Sequence, residues 1–212
     1  MILETLLLAT NETRYPKKMV RKPIFLDRDG VINEDINPYV LHESQLTIFP
    51  WALPSLKMLH DAGFDIYIIS NQQGIAKGMM SESDLDKISQ KIQNLLRPHG
   101  FQIAKFYYAT AHSSENHHWR KPEAGMLYAA RDEFNIQLKD AFFIGDKDTD
   151  VQCALQAGCR PLLVYSGVTK EGETLFWKYQ PEADFPSLFE ATLYVLEKSN
   201  NHQPSLTSLE KD

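Results

Sequence analysis

The sequence has little cysteine, no surplus of positive charge and no long apolar run. Its two cysteines, Cys153 and Cys159, cannot form the bridged framework that staples small secreted domains. They lie across an expected helix and its exit and read as small buried fillers. With 22 Lys and Arg against 28 Asp and Glu, the formal net charge is −6. That excludes a protein that grips nucleic acid through a bulk positive field, but not one that holds a phosphate ester with a metal and a few local cations. No stretch approaches the roughly 20 apolar residues that span a bilayer. The apolar start, residues 1–10, contains Glu4 and lacks the basic flank of a secretion signal. A cytoplasmic protein, with neither membrane nor nucleic-acid partners and monomeric, is expected. The strings G-x-x-x-x-G-K-[ST] and G-x-G-x-x-G are also missing, which argues against nucleotide-binding kinases and dehydrogenases. There is no internal repeat and no low-complexity block.

What is present is an ordinary globular composition, 43% apolar and 24% charged over 212 residues, enough for one well-buried domain. Residues 1–22 read as a loosely attached extension, 23–198 as the domain, and 199–212 as a polar, aperiodic tail expected to be disordered. Within the domain, β-branched and aromatic runs predict strands at residues 24–27, 64–70, 104–109, 141–146 and 160–166. Helices are expected at 51–62, from Ser81 onward, at 123–134 and at 148–157. Ser81 stands as an N-cap with Asp84 three residues on, ahead of Leu85, Ile88, Ile92 and Leu96 at helical spacing. Gly63 and Gly158 sit at helix exits. This alternation predicts a Rossmann-like α/β fold, a doubly wound and mostly parallel sheet. About twenty residues separate Gly30 from the helix at Trp51, so any cap is minimal.

In such a sheet, ligands bind beyond the carboxyl ends of the strands, and the chemistry-bearing residues fall there. The first strand runs into Asp27-Arg28-Asp29-Gly30, the second into Ser70-Asn71-Gln72, and the fourth into Gly145-Asp146-Lys147-Asp148-Thr149-Asp150. Arg120-Lys121-Pro122 precedes the helix that leads to the fourth strand. A carboxylate can attack phosphorus only if anion–anion repulsion is offset, for which a magnesium ion held by Asp27, Asp146, a main-chain carbonyl and water is suited. Asp29 is placed to protonate a leaving alkoxide and then to deprotonate water. Ser70 and Lys121 could contact the equatorial phosphoryl oxygens. Each piece alone has a plain reading: turn carboxylates, a strand exit, a proline-initiated helix, a helix cap. Four such pieces in one order, each at a ligand-binding position, do not. A phospho-receiver module would need an acceptor Asp after the third strand, where none stands, and an inactive binding module would have lost one of the four pieces.

The strings FLDRDGVIN, IISNQQGIAKG, RKPEAGM and FIGDKDTDV resemble the haloacid dehalogenase superfamily of phosphatases over residues 24–168. Within it they look like the small-cap subgroup of heptose-bisphosphate and histidinol-phosphate phosphatases. The resemblance implies Asp27 as nucleophile, Asp29 as acid/base, Ser70 and Lys121 as phosphoryl stabilisers, and Asp27, the Asp29 carbonyl and Asp146 as magnesium ligands. It implies substrate contacts from Asn71, Gln72, Gln73, Arg120 and Lys147, with Asp35 and Tyr39 on a flap over the same site, and Asp150 supporting the metal site without ligating. The subgroup usually carries a structural zinc held by three cysteines and a histidine before Arg-Lys-Pro. Here that loop offers only His112, His117 and His118, so structural zinc is not expected. The substrate class implied is a small phosphorylated metabolite, a heptose 1,7-bisphosphate first and histidinol phosphate second.

Overall fold

The computed structural model describes residues 21–200. The strands are β1 (Lys22–Leu26), β2 (Phe64–Asn71), β3 (Lys105–Ala109), β4 (Phe142–Gly145), β5 (Arg160–Val164) and β6 (Ala183–Phe185). Ile24, Phe25, Leu26, Ile68, Ile69, Ile144 and Leu163 are almost wholly buried, whichever face they point to. Apolar burial on both faces is the mark of a sheet sandwiched between helices. All neighbouring strands pair in parallel, in the order β3-β2-β1-β4-β5-β6.

The helices are α1 (Ala52–Asp61), α2 (Glu82–Leu96), α3 (Gly125–Phe134), α4 (Asp148–Ala157) and α5 (Leu188–Asn200). Strand side chains alternate between two cores. Ile24, Leu26, Ile66, Ile68, Ile144 and Leu162 pack with Leu56, Leu59, Ile88, Ile92, Leu188 and Val195, so α1, α2 and α5 cover one face. Phe25, Tyr67, Ile69, Tyr107 and Phe143 pack with Met126, Leu127, Ala130, Cys153 and Ala154, so α3 and α4 cover the other. The doubly wound expectation therefore holds, with small differences at the element ends. The Ser81 N-cap of α2 is a full capping box with Asp84, and Gly158 closes α4 in the left-handed conformation at φ +76°.

Three local expectations shift. First, α3 starts at Gly125, because Arg120–Glu123 forms a turn closed by the Glu123 N–H donating to the Arg120 carbonyl at 2.9 Å. Pro122 is thus in a turn and not in the first turn of a helix. Second, Lys22 opens β1, and Arg21 donates to Asp65 Oδ1 at 2.6 Å and to the His60 and Phe64 carbonyls at 2.8 and 2.5 Å. These two residues of the expected extension are therefore part of the domain. Third, Ser199 and Asn200, assigned to the tail, complete α5. The rest of both expectations, residues 1–20 and 201–212, lies outside the described residues.

β1 sits between β2 and β4, and the connections leave it in opposite directions on its two sides. Asp27 follows β1 and Asp146 follows β4, so both stand at the point where the strand order reverses. That is where an open α/β sheet leaves a crevice.

Candidate active site

Asp27 continues the line of β1, its N–H donating to the Ile144 carbonyl of β4 at 2.9 Å. Its carboxylate is buried and points at Lys121, whose Nζ lies 2.9 Å from Asp27 Oδ2 and 2.7 Å from Asp150 Oδ1. The same ammonium donates to the Ile69 carbonyl at 2.8 Å. Lys121 is thus a cation held by two anions and a carbonyl. Burial alone would lower its pKa, but Asp150 and Asp27 outweigh it and hold the ammonium well above the usual lysine range. Asp27 is shifted upward, chiefly by burial with a push from Asp150, against the downward pull of Lys121. Its other oxygen, Oδ1, accepts from the Arg28 N–H at 2.7 Å.

Asp146 lies beneath the crevice with no exposed surface. Its Oδ2 accepts from the Val168 N–H at 2.8 Å, while its Oδ1 is buried without a partner. Two glycines let the backbone come this close. A Cβ on Gly167 would stand 2.1 Å from Asp146 Oδ2, and one on Gly30, which has φ +84°, would stand 2.5 Å from it. Ser166 ties these loops together, donating to the Gly30 carbonyl at 2.6 Å. Burial first, then the charges of Asp150 and Asp27, push the Asp146 carboxyl up to about 8, against the lowering effect of Lys147 and the Val168 N–H. Ligand oxygens of Asp27, Asp146 and Asp150 all lie within 4.8 Å of one another. Asp150 is largely committed elsewhere: its Oδ2 accepts from the N–H groups of Asp146 and Lys147 at 3.1 and 3.0 Å, capping α4, and its Oδ1 faces Lys121. A buried carboxylate oxygen without a donor, beside a second carboxylate, fits a divalent cation.

Asp29, which also lines the crevice, is held by a set of donors of its own. Its two oxygens accept from Arg28 at 2.9–3.2 Å, from Asn33 Nδ2 at 2.8 Å and from Gln72 Nε2 at 2.8 Å. Burial raises its pKa, yet the Arg28 charge and the hydrogen bonds from Asn33, Gln72 and Arg28 win, and the group lies below the usual carboxylate range. Gln72 Nε2 also donates to Ser70 Oγ at 3.0 Å.

A cavity of about 480 Å³ opens over these groups, with Asp27, Asp29, Ser70, Asn71, Gln73, Arg120, Lys121, Lys147 and the flap residues Asp35 and Tyr39 in its wall. The flap is tied at both ends: Lys147 Nζ donates to Asp35 Oδ2 at 2.9 Å, and Gln73 and Lys77 donate to Tyr39 Oη at 2.6 and 2.8 Å. Asn71 spends its amide on the Lys121 backbone, donating to its carbonyl at 3.0 Å and accepting from its N–H at 2.9 Å. Arg120 Nη1 and Gln73 Oε1 are buried without partners. One expected substrate contact is corrected: Gln72 is only 2% exposed and is not in the cavity wall, because its amide faces inward to Asp29, Ser70 and Arg28. In the histidine loop, His112 Nδ1 accepts from the Ser114 N–H at 3.3 Å and His117 Nδ1 from the Trp119 N–H at 3.2 Å, while the His117 and His118 rings lie 4.6 Å apart.

Sequence reasoning did not find Arg28, Asn33 or the Ser166-Gly167-Val168 turn. The turn had a signal, since it follows the end of β5 and strand ends are where ligands sit. Arg28 had none, because an arginine next to an aspartate is usually solvated.

A family model described as HAD-hydrolase-like matches residues 118–191. A D-glycero-D-manno-heptose-1,7-bisphosphate 7-phosphatase of Chlorobaculum tepidum is 33% identical over 188 residues, covering 82% of this chain and 94% of that protein. The chain belongs to the haloacid dehalogenase superfamily of phosphatases. A D-glycero-beta-D-manno-heptose-1,7-bisphosphate 7-phosphatase of Pseudomonas putida is 32% identical over 161 residues, 76% of this chain and 90% of that one. Among solved structures, the D,D-heptose 1,7-bisphosphate phosphatase of B. bronchiseptica, complexed with magnesium and phosphate, superposes with TM-score 0.76 at 28% identity, over 84% of this chain and 99% of that one. No helix among the described residues of this phosphatase is long and apolar enough to cross a membrane.

Proposed function

We propose that this phosphatase removes the 7-phosphate of D-glycero-D-manno-heptose 1,7-bisphosphate in two steps, through an aspartyl phosphate on Asp27. The observation that carries the reading is the buried Asp27 carboxylate, fixed by Lys121 at 2.9 Å at the floor of a polar cavity beside the unpartnered Asp146 oxygen. Asp27, Asp146 and the main-chain carbonyl of Asp29 would hold a magnesium ion, which when bound supplies the positive charge that lets two anions approach. Asp27 attacks phosphorus in line with the leaving oxygen. Lys121 and the Ser70 hydroxyl donate to the equatorial oxygens, where charge is spread in the transition state. Asp29 protonates the leaving alkoxide and then takes a proton from the water that cleaves the aspartyl phosphate. In the free site Asp29 is held as a carboxylate, ready for the second step. A phosphate dianion arriving beside it raises its proton affinity for the first.

Arg120 Nη1 supports the bisphosphate over histidinol phosphate, since it is a buried, unpartnered donor on a residue of the cavity wall. A guanidinium fork suits a second phosphate. Histidinol carries an ammonium and would prefer a free carboxylate, but Asp35 is already paired with Lys147 at 2.9 Å. The test is kcat/KM for the bisphosphate and for histidinol phosphate in wild type and Arg120→Ala. A loss of about 10–100-fold confined to the bisphosphate is expected, the size of a charged hydrogen-bonded contact. Equal losses on both substrates would leave the bisphosphate preference without a residue behind it.

A further inference from the structure

Gln72 occupies a position between three functional groups that a substrate cannot reach. It is 2% exposed, yet its Nε2 donates to Asp29 Oδ2 at 2.8 Å and to Ser70 Oγ at 3.0 Å, and its Oε1 accepts from Arg28 Nη2 at 3.1 Å. The orientation of this amide is set by its neighbours. A carboxylate can only accept and a guanidinium can only donate, so the NH2 must face Asp29 and the oxygen must face Arg28. Ser70 therefore accepts from Gln72, and its own hydroxyl proton is left to point into the cavity, where a phosphoryl oxygen would take it.

The anchor behind Gln72 is itself buried. Arg28 is wholly buried, and its guanidinium lies 6.0 Å from the centre of the Tyr108 ring. The Tyr108 hydroxyl in turn lies 2.7 Å from Ser89 Oγ on α2. One chain of polar contacts thus links the ends of β1, β2 and β3 to a covering helix.

The geometry points to Gln72 as a positioning residue: anchored by Arg28, it holds the acid/base Asp29 and the phosphoryl-stabilising Ser70 in one fixed relation and does not touch substrate. The inference rests on the reading of Asp29 as acid/base given above. It predicts that weakening Gln72 harms proton delivery to the leaving group first. Partners that orient the ligands of a metal site typically contribute about 10–100-fold, and an effect of that order is expected of Gln72.

The test uses Gln72→Met, which keeps the volume and removes the amide, alongside Asp29→Asn and the double variant. The substrates are phenyl phosphate and 4-nitrophenyl phosphate, which share a shape and differ in how much their leaving oxygen needs a proton. Neither carries the sugar, so a lost sugar contact cannot imitate the result. For Gln72→Met, kcat/KM on phenyl phosphate should fall about 10–100-fold and on 4-nitrophenyl phosphate by a much smaller factor. The ratio of the two is independent of how much protein is folded. In the Asp29→Asn background the substitution should cost clearly less than in wild type, because one of the two groups it positions is already gone and only its hold on Ser70 remains. Equal losses on both substrates, or a full additional loss in the double variant, would overturn the inference. If Asp29→Asn alone left phenyl phosphate turnover unchanged, the acid/base reading itself would fall, a result distinct from either.

Discussion

Lys121 illustrates how the site balances charge at the level of single residues. Its two ion pairs are nearly solvent-free, with side-chain exposures of 2% for Lys121, 6% for Asp27 and 2% for Asp150. Removing one partner of a buried pair usually leaves a costly unpaired charge, but here the second carboxylate remains. Asp27→Asn should therefore fold, with Lys121 kept by Asp150, while turnover falls by at least about 10⁴-fold, as expected for a lost nucleophile. Acid-quenched wild-type enzyme should yield a phosphorylated peptide containing Asp27. A phosphopeptide mapping elsewhere would remove the two-step mechanism. At this scale the placement of residues was readable where position and residue type coincided: Asp27 and Asp146 directly follow β1 and β4, Ser70 lies at the end of β2, and Lys121 stands in the turn before α3. The inward turn of Gln72 and the burial of Arg28 were not readable, because the first depends on Arg28 and Asp29 arriving from the end of β1 and the second on Tyr108 of β3. Side-chain direction at a strand exit is decided by those partners and not by the local string.

Elements behaved in proportion to the strength of their local signals. α2 was legible because its start carries a full cap: Ser81 Oγ accepts from the Asp84 N–H at 3.1 Å, and Asp84 Oδ2 accepts from the Ser81 N–H at 3.0 Å. Removing that hydroxyl costs about 1 kcal/mol in comparable caps. Ser81→Ala should accordingly lower Tm by roughly 2–4 °C and leave kcat/KM unaltered, since Ser81 is exposed and outside the cavity wall. A loss of activity without a loss of Tm would mean that α2 is coupled to the site through more than Ser89 and Tyr108. β6 was not legible. It has three residues, Ala183–Phe185, none of them fully buried, and it pairs only with β5 at the sheet edge. A strand that short carries neither an alternating nor a continuous apolar pattern. α5 was not among the expected helices either, although it buries Leu188, Ala191, Thr192 and Val195 at helical spacing, a pattern that Thr192 dilutes.

For the molecule as a whole, the unusual quantity is the acidity gathered at the switch point between β1 and β4. With the Asp146 carboxyl raised from 3.8 to about 8, the folded protein without metal binds a proton there that the unfolded chain has released. Stability of the metal-free protein should thus be fullest below about pH 4 for this group and decline as pH rises toward 8. A divalent cation must displace that proton, so magnesium affinity should rise about tenfold per pH unit below 8 and level off above it. Thermal melts with and without magnesium across this range would test both signs: the increment in Tm given by the ion should grow with pH. An increment independent of pH would show that Asp146 is not the group the ion meets. Hydrolysis should cease with chelator and return with magnesium. The α/β architecture behind this behaviour was readable from alternating strand and helix signals. The depth of Asp146 was not, since it depends on Gly30 and Gly167 closing over it from two separate loops.

The pairing of β1 with β4 has one more consequence. Ile24 lies beside Phe142 and Leu26 beside Ile144, neighbours in space from opposite halves of the chain. The first half contributes Asp27 and Ser70, and the second contributes Lys121, Asp146 and Asp150, so neither half owns a workable site. The seam between them is packed by Phe25, Phe143 and Ile144, none of which bears any chemistry. A substitution that only loosens this apolar seam would shift Asp27 against Asp146 and register as a catalytic lesion. Heritable loss of function in such a protein is therefore spread well beyond its reactive residues, along a line of hydrocarbon that joins two halves of one gene product.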